Sequence, residues 1–208
     1  MRKLTLLFVI LLSVSFFGCS EDGTVQVRKN YKKIPAISEN GAINMVVEIP
    51  AGTNHKYEYD YEDKAFEVEE VNGEKRVVNF LPYPGNYGFI PSTLMDEERG
   101  GDGDALDILL IAETLETGSV AEVIPIGALL LEDNEELDTK IIAVPLDTLQ
   151  SVIDARSFQV FLIEYDAAKR IIEEWFTHYK GDRQVKLIGW KDENYAWREV
   201  EKWIIDKE

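Results

Sequence analysis

The chain has 208 residues, a formal net charge of -17 and one cysteine. A surface this acidic argues against a nucleic-acid partner and against electrostatic attachment to an anionic membrane, and a single cysteine excludes a disulfide bond within the chain. The roughly 170 residues that follow a short amino-terminal region suit one domain with a sizeable buried core.

The first 18 residues have the pattern of an export signal. Arg2 and Lys3 precede an apolar run at positions 4–17, and polar sequence begins directly after Gly18 and Cys19. The run is shorter than the roughly 20 residues of a membrane-spanning helix, so it predicts a cleaved signal peptide. Gly18-Cys19 resembles a bacterial lipobox, which implies cleavage before Cys19 and lipidation of its thiol. An ordinary signal peptide next to an incidental cysteine is the alternative.

Residues 19–40 are polar and irregular, and they predict a flexible tether. The tether would join an anchored Cys19 to one folded domain at 41–208. This organisation predicts a protein that is exported and lipid-anchored to a bacterial membrane, on its periplasmic or cell-surface side. The lipid at Cys19 would be its only membrane contact.

The domain begins with short apolar or alternating segments, which are typical of β-strands. Glycines and prolines separate them, and this spacing favours a small closed or nearly closed barrel. Helical periodicity comes last, so we predict an α+β fold that is mainly β, with helices flanking the barrel at its carboxyl-terminal end. The predicted strands are 43–49, 56–61, 65–71, 76–80, 105–111, 120–131 and 140–144, and the predicted helices are 145–153, 161–179 and 194–205.

Three aspartates, Asp102, Asp104 and Asp107, lie where a glycine-rich loop runs into an apolar strand. Like charges this close repel one another, so a cation is expected among them, and Mg²⁺ prefers carboxylate oxygens. Residues two apart in an extended chain face the same side, which suits Asp102 and Asp104. Asp107 has the wrong parity, so a bend near Gly103 or Ala105 is needed to bring it in.

Two alternatives remain for this loop. An EF-hand calcium loop starting at Asp102 would place Glu113 at its twelfth position, but it needs glycine at the sixth, where the chain has Asp107. The other alternative is a solvated acidic turn that binds no metal.

Charged residues also interrupt the predicted strands and end the long helix. Any one of them is consistent with a solvated strand face or a helix cap. Together they supply carboxylates for cations and basic groups for an anion. The carboxylates are Glu48, Glu58, Asp133 and Asp138, and the basic groups are Lys56, Arg76, Lys140 and Lys180.

The segment 79–91 contains three prolines and two glycines, which fix an irregular backbone. Tyr83 and Tyr87 can present hydroxyl groups from it. Rigid loops of this kind position ligands more often than they fill cores. A structural corner with packed tyrosines is the alternative.

Five motifs resemble those of the soluble family I inorganic pyrophosphatases, in the same order and spacing over roughly residues 40–190. They are Val-Val-Glu-Ile-Pro (46–50), Tyr-Pro-Gly-Asn-Tyr-Gly-Phe-Ile (83–90), Asp-Gly-Asp-Ala-Leu-Asp (102–107), the run from Asp133 to Asp-Thr-Lys-Ile-Ile-Ala-Val-Pro (138–145), and His-Tyr-Lys (178–180). The resemblance implies a five-stranded OB-like barrel with flanking helices. It also implies Mg²⁺-dependent hydrolysis of pyrophosphate by metal-activated water without a covalent intermediate, several Mg²⁺ ions per site, and a homo-oligomer that is a hexamer in bacterial relatives.

The resemblance further implies a role for each matching residue. Asp104 would receive the proton of the attacking water or orient that water, and Asp107 would bridge two cations. The metal ligands would be Asp102, Asp107, Asp133, Asp138, Glu48 and Glu58, the two glutamates acting mainly through bound water. The phosphate ligands would be Lys56, Arg76, Tyr87, Lys140, Tyr179 and Lys180, with Tyr83 as support. Arg76 lies one residue closer to the tyrosine loop than in typical bacterial relatives, and Ala105 replaces a usual proline.

Two other classes of function remain open. One is a non-catalytic, lipid-anchored module that binds a divalent cation or phosphate, although retention of Asp104 beside the phosphate ligands argues against it. The other is a metal-dependent nucleotide phosphohydrolase. The chain has no Walker-type Gly-x-x-x-x-Gly-Lys-Ser/Thr motif, which would have favoured nucleotide binding.

Overall fold

The computed structural model describes residues 25–26, 29–181 and 185–205. Its strands are β1 (Val25–Gln26), β2 (Ile43–Ile49), β3 (Tyr57–Asp60), β4 (Ala65–Val68), β5 (Glu70–Val71), β6 (Glu74–Lys75), β7 (Asn86–Phe89), β8 (Asp107–Leu110), β9 (Val120–Asp133), β10 (Glu136–Pro145) and β11 (Lys186–Lys191). Its α-helices are α1 (Phe158–Glu164), α2 (Asp166–His178) and α3 (Glu193–Trp203), and 3₁₀ turns occupy Tyr31–Lys33, Glu97–Arg99 and Thr148–Gln150.

Five strands form a ring in the order β10, β8, β7, β2 and β9, and pairing between β9 and β10 closes it. β10 and β8 are parallel, whereas the other neighbours in the ring are antiparallel. β11 pairs with β9, and β1, β4 and β3 form a separate sheet. The predicted α+β fold, a mainly β, OB-like closed barrel with flanking carboxyl-terminal helices, is confirmed.

Both faces of the barrel wall are buried, because successive residues along a strand point to opposite sides. In β8, Ile108 and Leu110 belong to a cluster that includes Trp203 of α3. Leu109 lies between them in the sequence and belongs to a second cluster that includes Trp175 of α2. Burial on both sides explains why the strand is continuously apolar rather than alternating.

The sequence pattern misplaces some strands. Residues 76–80 contain only a single bridge, between Val77 and His55. The pattern does not predict β7 or β11, because Gly88 and Gly189 interrupt their runs of strand-forming residues.

The predicted helices also differ from the observed ones. The region 145–153 holds only a 3₁₀ turn, since Pro145 still belongs to β10. The predicted helix 161–179 is two helices that meet at Tyr165, whose hydroxyl accepts a hydrogen bond from the Asp154 backbone N–H. Within the described ranges, no helix combines the length and the apolar content needed to cross a bilayer.

The amino-terminal strap, which we define as residues 29–36, packs on the domain. Tyr31 is fully buried, and its hydroxyl donates a hydrogen bond to Gly118 O at 2.6 Å. Asn44 Nδ2 donates to the carbonyl oxygen of Pro35 at 2.8 Å. The predicted tether (19–40) is therefore too long at its carboxyl end, because the buried Tyr31 fixes part of an otherwise polar segment. The predicted signal peptide and Cys19 lie outside the described residues.

Candidate active site

A cavity of about 390 Å³ brings together side chains from six separate parts of the chain. Every predicted metal ligand and the predicted proton acceptor line it, as do all predicted phosphate ligands except Arg76. The predicted residues that line it are Glu48, Lys56, Glu58, Tyr87, Asp102, Asp104, Asp107, Asp133, Asp138, Lys140, Tyr179 and Lys180, together with the supporting Tyr83.

The cavity carries a large excess of negative charge. Eight carboxylates and three lysines line it within the described part of the chain, and the carboxylate that was not predicted is Glu136. So many like charges in one place favour bound cations. Carboxylate oxygens are the ligands that Mg²⁺ and similar hard cations select.

The aspartate loop is shaped by two glycines. Gly103 has a φ of +87°. This left-handed backbone conformation supplies the bend that turns Asp107 to the same side as Asp102 and Asp104. A Cβ on Gly101 would lie 2.2 Å from backbone atoms of Met95, so no larger residue fits there. The Asp104 backbone N–H donates to Asp102 Oδ1 at 3.0 Å. This closed turn directs all three aspartates into the cavity.

A β-bulge presents Glu48 from an otherwise apolar strand. The register between β2 and β7 shifts between Val47 and Ile49, and a bulge of this kind re-aims the residue within it. The Tyr59 backbone N–H donates to Glu48 Oε1 at 2.9 Å and fixes the carboxylate. Gly88 of β7 allows the close pairing, since a Cβ there would lie 2.0 Å from a backbone oxygen of β2.

The hairpin between β9 and β10 carries Asp133, Asp138 and Lys140. Asn134 and Glu135 form its turn with φ values of +53° and +70°, the backbone geometry of a two-residue type I′ connection. Asn134 suits this turn because asparagine tolerates a positive φ better than most residues do. Residues two apart on β10 share a face, so Asp138 and Lys140 both reach the cavity.

Lys140 is only 5% exposed, and its ammonium group lies between two carboxylates. It forms ion pairs with Asp107 and, at 2.6 Å, with Asp138 Oδ1. Burial by itself lowers the pKa of Lys140, but these two carboxylates more than reverse that effect and raise it well above its usual value. Lys140 is therefore a fixed positive charge at neutral pH. Lys180, directly after α2, forms a similar ion pair with Asp133.

Tyrosine hydroxyl groups complete the wall. Burial raises the pKa of Tyr87, and the nearby Asp107 adds to the effect, so the hydroxyl stays protonated and can donate a hydrogen bond. Tyr179 stacks on Trp175 with ring centroids 4.6 Å apart, and Tyr83 contacts the same indole at 4.4 Å. Trp175 is itself held by a 2.9 Å hydrogen bond from Nε1 to Leu81 O. These rings are positioned by packing and not by the loop alone.

The carboxylates face the same cavity, but they are not arranged at the distances that coordination of one metal ion requires. In the described ranges, no three carboxylate, imidazole or thiol groups lie close enough to hold one metal ion. The pKa of Glu48 is raised to about 8, chiefly by burial and also by the charges of Asp107 and Glu58, against the lowering effect of the hydrogen bond from Tyr59 N–H. Burial and then repulsion from Asp102 and Asp107 raise the pKa of Asp104. This mutual repulsion is what a bound cation would relieve.

Two features of the site differ from the sequence prediction. Arg76 does not line the cavity, because its guanidinium group is held by Glu69, at 2.7 and 2.9 Å. Tyr61 lines the cavity although its role was not predicted, and its ring lies 4.9 Å from that of Tyr59. Tyrosines alternate at positions 57, 59 and 61, along β3 and one residue past its end, and this alternation is the signal that could have found Tyr61. No sequence pattern marks Glu69.

Known proteins resemble this chain over most of its length. A family model described as inorganic pyrophosphatase matches residues 45–207. The inorganic pyrophosphatase of Sulfolobus acidocaldarius is 39% identical over 167 residues, which cover 76% of this chain and 87% of that protein. The inorganic pyrophosphatase of Rickettsia prowazekii is 39% identical over 166 residues, which cover 77% of this chain and 90% of that protein.

The fold resembles solved structures with the same name. The inorganic pyrophosphatase from Thermus thermophilus aligns with a TM-score of 0.70 and 33% identity, over 85% of this chain and 97% of that one. The type I inorganic pyrophosphatase from Toxoplasma gondii aligns with a TM-score of 0.74 and 28% identity, over 82% and 83% of the two chains. Because the family model spans nearly all of the folded domain, this chain belongs to the inorganic pyrophosphatase family.

Proposed function

We propose that this protein hydrolyses inorganic pyrophosphate to two phosphates in the cavity described above. The observation that carries the proposal is the convergence of eight carboxylates and three lysines on one cavity in a chain of this family. Pyrophosphate is a multiply charged anion that repels an anionic nucleophile. A site that attacks it with water therefore needs cations to offset the charge and basic groups to hold the phosphates.

The carboxylates are suited to hold Mg²⁺, because all of them offer hard oxygen donors. Burial, and then repulsion from neighbouring carboxylates, raises the pKa of Glu48 and Asp104, and a bound cation would oppose that repulsion. When bound, Mg²⁺ supplies positive charge that offsets the charge of pyrophosphate and makes water easier to ionise. We assign direct ligation to Asp102, Asp107 and Asp138, ligation of metal that enters with substrate to Asp133 and Asp138, and ligation mainly through water to Glu48 and Glu58.

We assign the proton acceptor role to Asp104. Its carboxylate lines the cavity beside Asp102 and Asp107, so water held among these side chains can transfer a proton to it. Attack is direct, and no covalent phosphoenzyme forms.

Lysines and tyrosines bind the two phosphates and stabilise the one that leaves. Lys140 is a fixed cation between Asp107 and Asp138, and Tyr87 keeps its proton because burial raises its pKa. The departing phosphate gains negative charge during the reaction. Donors such as these stabilise that charge by hydrogen bonding, because the fold orients them before the reaction begins. Lys56, Lys180 and Tyr179 complete the set. Tyr83 supports Tyr179, because both rings pack on Trp175.

Phosphate release tests the proposal. With Mg²⁺, we expect release from pyrophosphate and little from ATP, and a chelator should abolish it. Asp104→Asn should lower kcat about 100-fold or more, whereas the exposed Asp154→Asn should leave it unchanged. Faster release from ATP would instead support a nucleotide phosphohydrolase. Binding of Mg²⁺ and phosphate without any turnover would support a binding module.

A second part of the proposal concerns location. The apolar run at 4–17 and the Gly18-Cys19 pair support an exported protein that is lipid-anchored at Cys19. Expression in a bacterial host with a radiolabelled fatty acid should label the wild-type protein and not Cys19→Ala. If neither protein were labelled, Cys19 would not be lipidated, and the result would support an ordinary cleaved signal peptide. An exported enzyme of this kind would free phosphate from pyrophosphate outside the inner membrane, which is a scavenging role. Equal growth on pyrophosphate as sole phosphorus source, with and without the protein, would contradict that role.

We also propose that the domain forms a homo-oligomer, and a hexamer is the state that the family resemblance favours. A lipid anchor on each copy would place all amino termini at one membrane surface, which restricts how six copies can be arranged. Light scattering of the detergent-solubilised wild-type protein and of Cys19→Ala gives the state directly. A monomer in both would contradict the proposal.

A further inference from the structure

The turn at residues 96–101 leads directly into the aspartate loop (102–107). Its sequence, Asp-Glu-Glu-Arg-Gly-Gly, continues into Asp102 and Asp104, so five carboxylates and a single arginine lie between positions 96 and 104. Like charges this close repel one another. Without an attachment to the rest of the domain, this repulsion would favour a loop that opens away from the cavity.

Arg99 attaches the turn to the carboxyl-terminal end of α3. Its Nη2 donates a hydrogen bond to Lys202 O at 2.8 Å, and its Cζ lies 4.8 Å from the ring centroid of Trp203. Lys202 O is one of the last four carbonyl oxygens of α3, which have no partner within the helix. The helix dipole also favours a cation at this end. Arg99 therefore satisfies a free helix carbonyl and ties the turn to a distant part of the chain.

The support that Arg99 contacts is part of the core. Trp203 is 2% exposed, and its Nε1 donates to Glu199 Oε1 at 2.8 Å. It belongs to the same buried cluster as Ile108 of β8. The stacked guanidinium group thus lies on a ring that is fixed by packing and by a hydrogen bond.

Backbone hydrogen bonds join the end of α3 to residues 92–94. The Leu94 N–H donates to Trp203 O at 2.9 Å, and the Ile205 N–H donates to Ser92 O at 3.0 Å. The end of α3 is therefore fixed beside the segment that precedes the turn.

The same segment holds the base of the aspartate loop. The Met95 N–H donates to Asp104 O, and the Gly103 N–H donates to Met95 O, both at 2.7 Å. The Leu106 N–H donates to Thr93 Oγ1 at 2.9 Å. The loop is thus held at its base by these bonds and at the preceding turn by Arg99.

We propose that Arg99 is a positioning residue for Asp102 and Asp104, and that the carboxyl-terminal end of α3 supports the active site through it. The inference rests on the proposed function and adds a residue that is exposed and does not line the cavity. Arg99 acts only through the loop. Misplacing a reacting group by about 1 Å can cost a large part of the rate, so a tether at the turn affects the chemistry at Asp104.

Steady-state kinetics with pyrophosphate at saturating Mg²⁺ test this role. Arg99→Met keeps the aliphatic part of the side chain over Trp203 and removes its charge and its donors. We expect kcat to fall about 3- to 10-fold with KM changed less than about 2-fold. Arg99→Lys keeps a cation that can donate to the helix end, and it should recover part of kcat. Arg198→Met is the matched control, because Arg198 is an exposed arginine of α3 and should leave both constants unchanged.

A double-mutant cycle with Asp104→Asn separates positioning from a general structural effect. In the Asp104→Asn background, Arg99→Met should lower kcat by less than about 2-fold, since the carboxylate that it positions is gone. An equal loss in both backgrounds would show that Arg99 acts independently of Asp104 and would overturn the inference. So would an Arg99→Met variant that matched Arg198→Met in kcat, or that lowered only the melting temperature.

Hydrogen exchange without Mg²⁺ or substrate tests the tether itself. Peptides that cover residues 94–106 should exchange about 5-fold or more faster in Arg99→Met than in the wild-type protein, because the turn opens more often. Peptides from β9 should exchange at the same rate in both. Equal exchange of the loop would contradict the tether. A wild-type protein that binds pyrophosphate and does not hydrolyse it would refute the proposed function alone, since the exchange comparison needs no turnover.

Discussion

At the scale of single residues, Lys140 shows how this site balances charge. A lysine that is 5% exposed would lose much of its preference for the charged state. Asp107 and Asp138 restore that preference by pairing with it from two sides. The same ammonium offsets the repulsion between the two carboxylates, so Lys140 stabilises the fold in addition to the phosphate binding that we propose for it.

Replacement of Lys140 tests that double role. Lys140→Met keeps the bulk of the side chain but leaves two partly buried carboxylates unpaired, so we expect a loss of about 3 to 5 kcal/mol in the free energy of unfolding without Mg²⁺. Saturating Mg²⁺ should restore part of this stability, while kcat/KM stays about 100-fold low. Urea titrations and phosphate release measure the two effects.

Lys186→Met is the matched control, because Lys186 is two-thirds exposed in its own ion pair with Glu132. Exposed pairs contribute about 1 kcal/mol or less. Equal losses in the two variants would contradict the stabilising role of Lys140.

At the scale of elements, the bulge in β2 depends on the glycine that faces it. A Cβ on Gly88 would lie 2.0 Å from one backbone atom of β2 and 2.9 Å from Glu48 N. Backbone atoms cannot rotate away as side chains can, so the two strands would have to separate. Glu48 would then lose the position that the bulge gives it.

Gly88→Ala should therefore cost about 3 kcal/mol in the free energy of unfolding and lower activity in the folded fraction. Gly73→Ala is the comparison, since open space surrounds Gly73 and only its φ of +81° opposes a side chain. That change should cost about 1 kcal/mol and leave kcat unchanged. Chemical denaturation with parallel activity measurements checks both, and a neutral Gly88→Ala would contradict the steric argument.

The amino-terminal strap is the second element that the site depends on. Tyr31 contacts the ring of Tyr59 at 4.9 Å, and Tyr59 O–H donates to Lys29 O at 2.6 Å. Lys32 Nζ lies 4.4 Å from the ring centroid of Tyr61. The strap therefore supports two tyrosines that also line the cavity.

Truncation should show where the domain begins. A chain that starts at residue 25 should melt like one that starts at Cys19, because it keeps β1 and every contact of Tyr31 that is described above. A chain that starts at residue 41 loses a buried aromatic side chain and should be less stable by about 3 to 5 kcal/mol. Equal melting temperatures for the two truncated chains would show that the folded domain begins at residue 41, as the sequence pattern predicts.

At the scale of the whole molecule, charge is the dominant feature. A formal charge of -17 favours solubility, and eight carboxylates around one cavity concentrate part of it. Net repulsion destabilises the compact state until cations bind. Stability should therefore depend on divalent cations more than on ionic strength.

Mg²⁺ at 100-fold excess over its dissociation constant should stabilise the native state by about 3 kcal/mol. Sodium chloride at the same ionic strength should shift the melting temperature much less, since screening is not ligation. Asp107→Asn should shrink the Mg²⁺ effect, and Asp154→Asn should retain it. If Mg²⁺ stabilised Asp107→Asn as much as the wild-type protein, the cations would have to bind outside the cavity that contains Asp107.

Much of the cavity lining was predictable because its side chains are clustered in short motifs. The aspartates at 102–107 lie within six residues, so a turn at Gly103 is enough to bring them together. The charge pattern of β10 likewise placed Asp138 and Lys140 on one face. The ion pair of Arg76 with Glu69 was not predictable, because the two residues meet through a contact between strand ends.

The sequence by itself determined the order of barrel and helices, the family and most of the carboxylates that line the cavity, since local periodicity and short motifs record these directly. The tertiary structure decided the closure of the ring between β9 and β10, the packing of the strap on the tyrosines and the sharing of Lys140 by two carboxylates. The physical reason is distance along the chain. Contacts between remote segments arise from packing and electrostatics in three dimensions, which no local pattern contains.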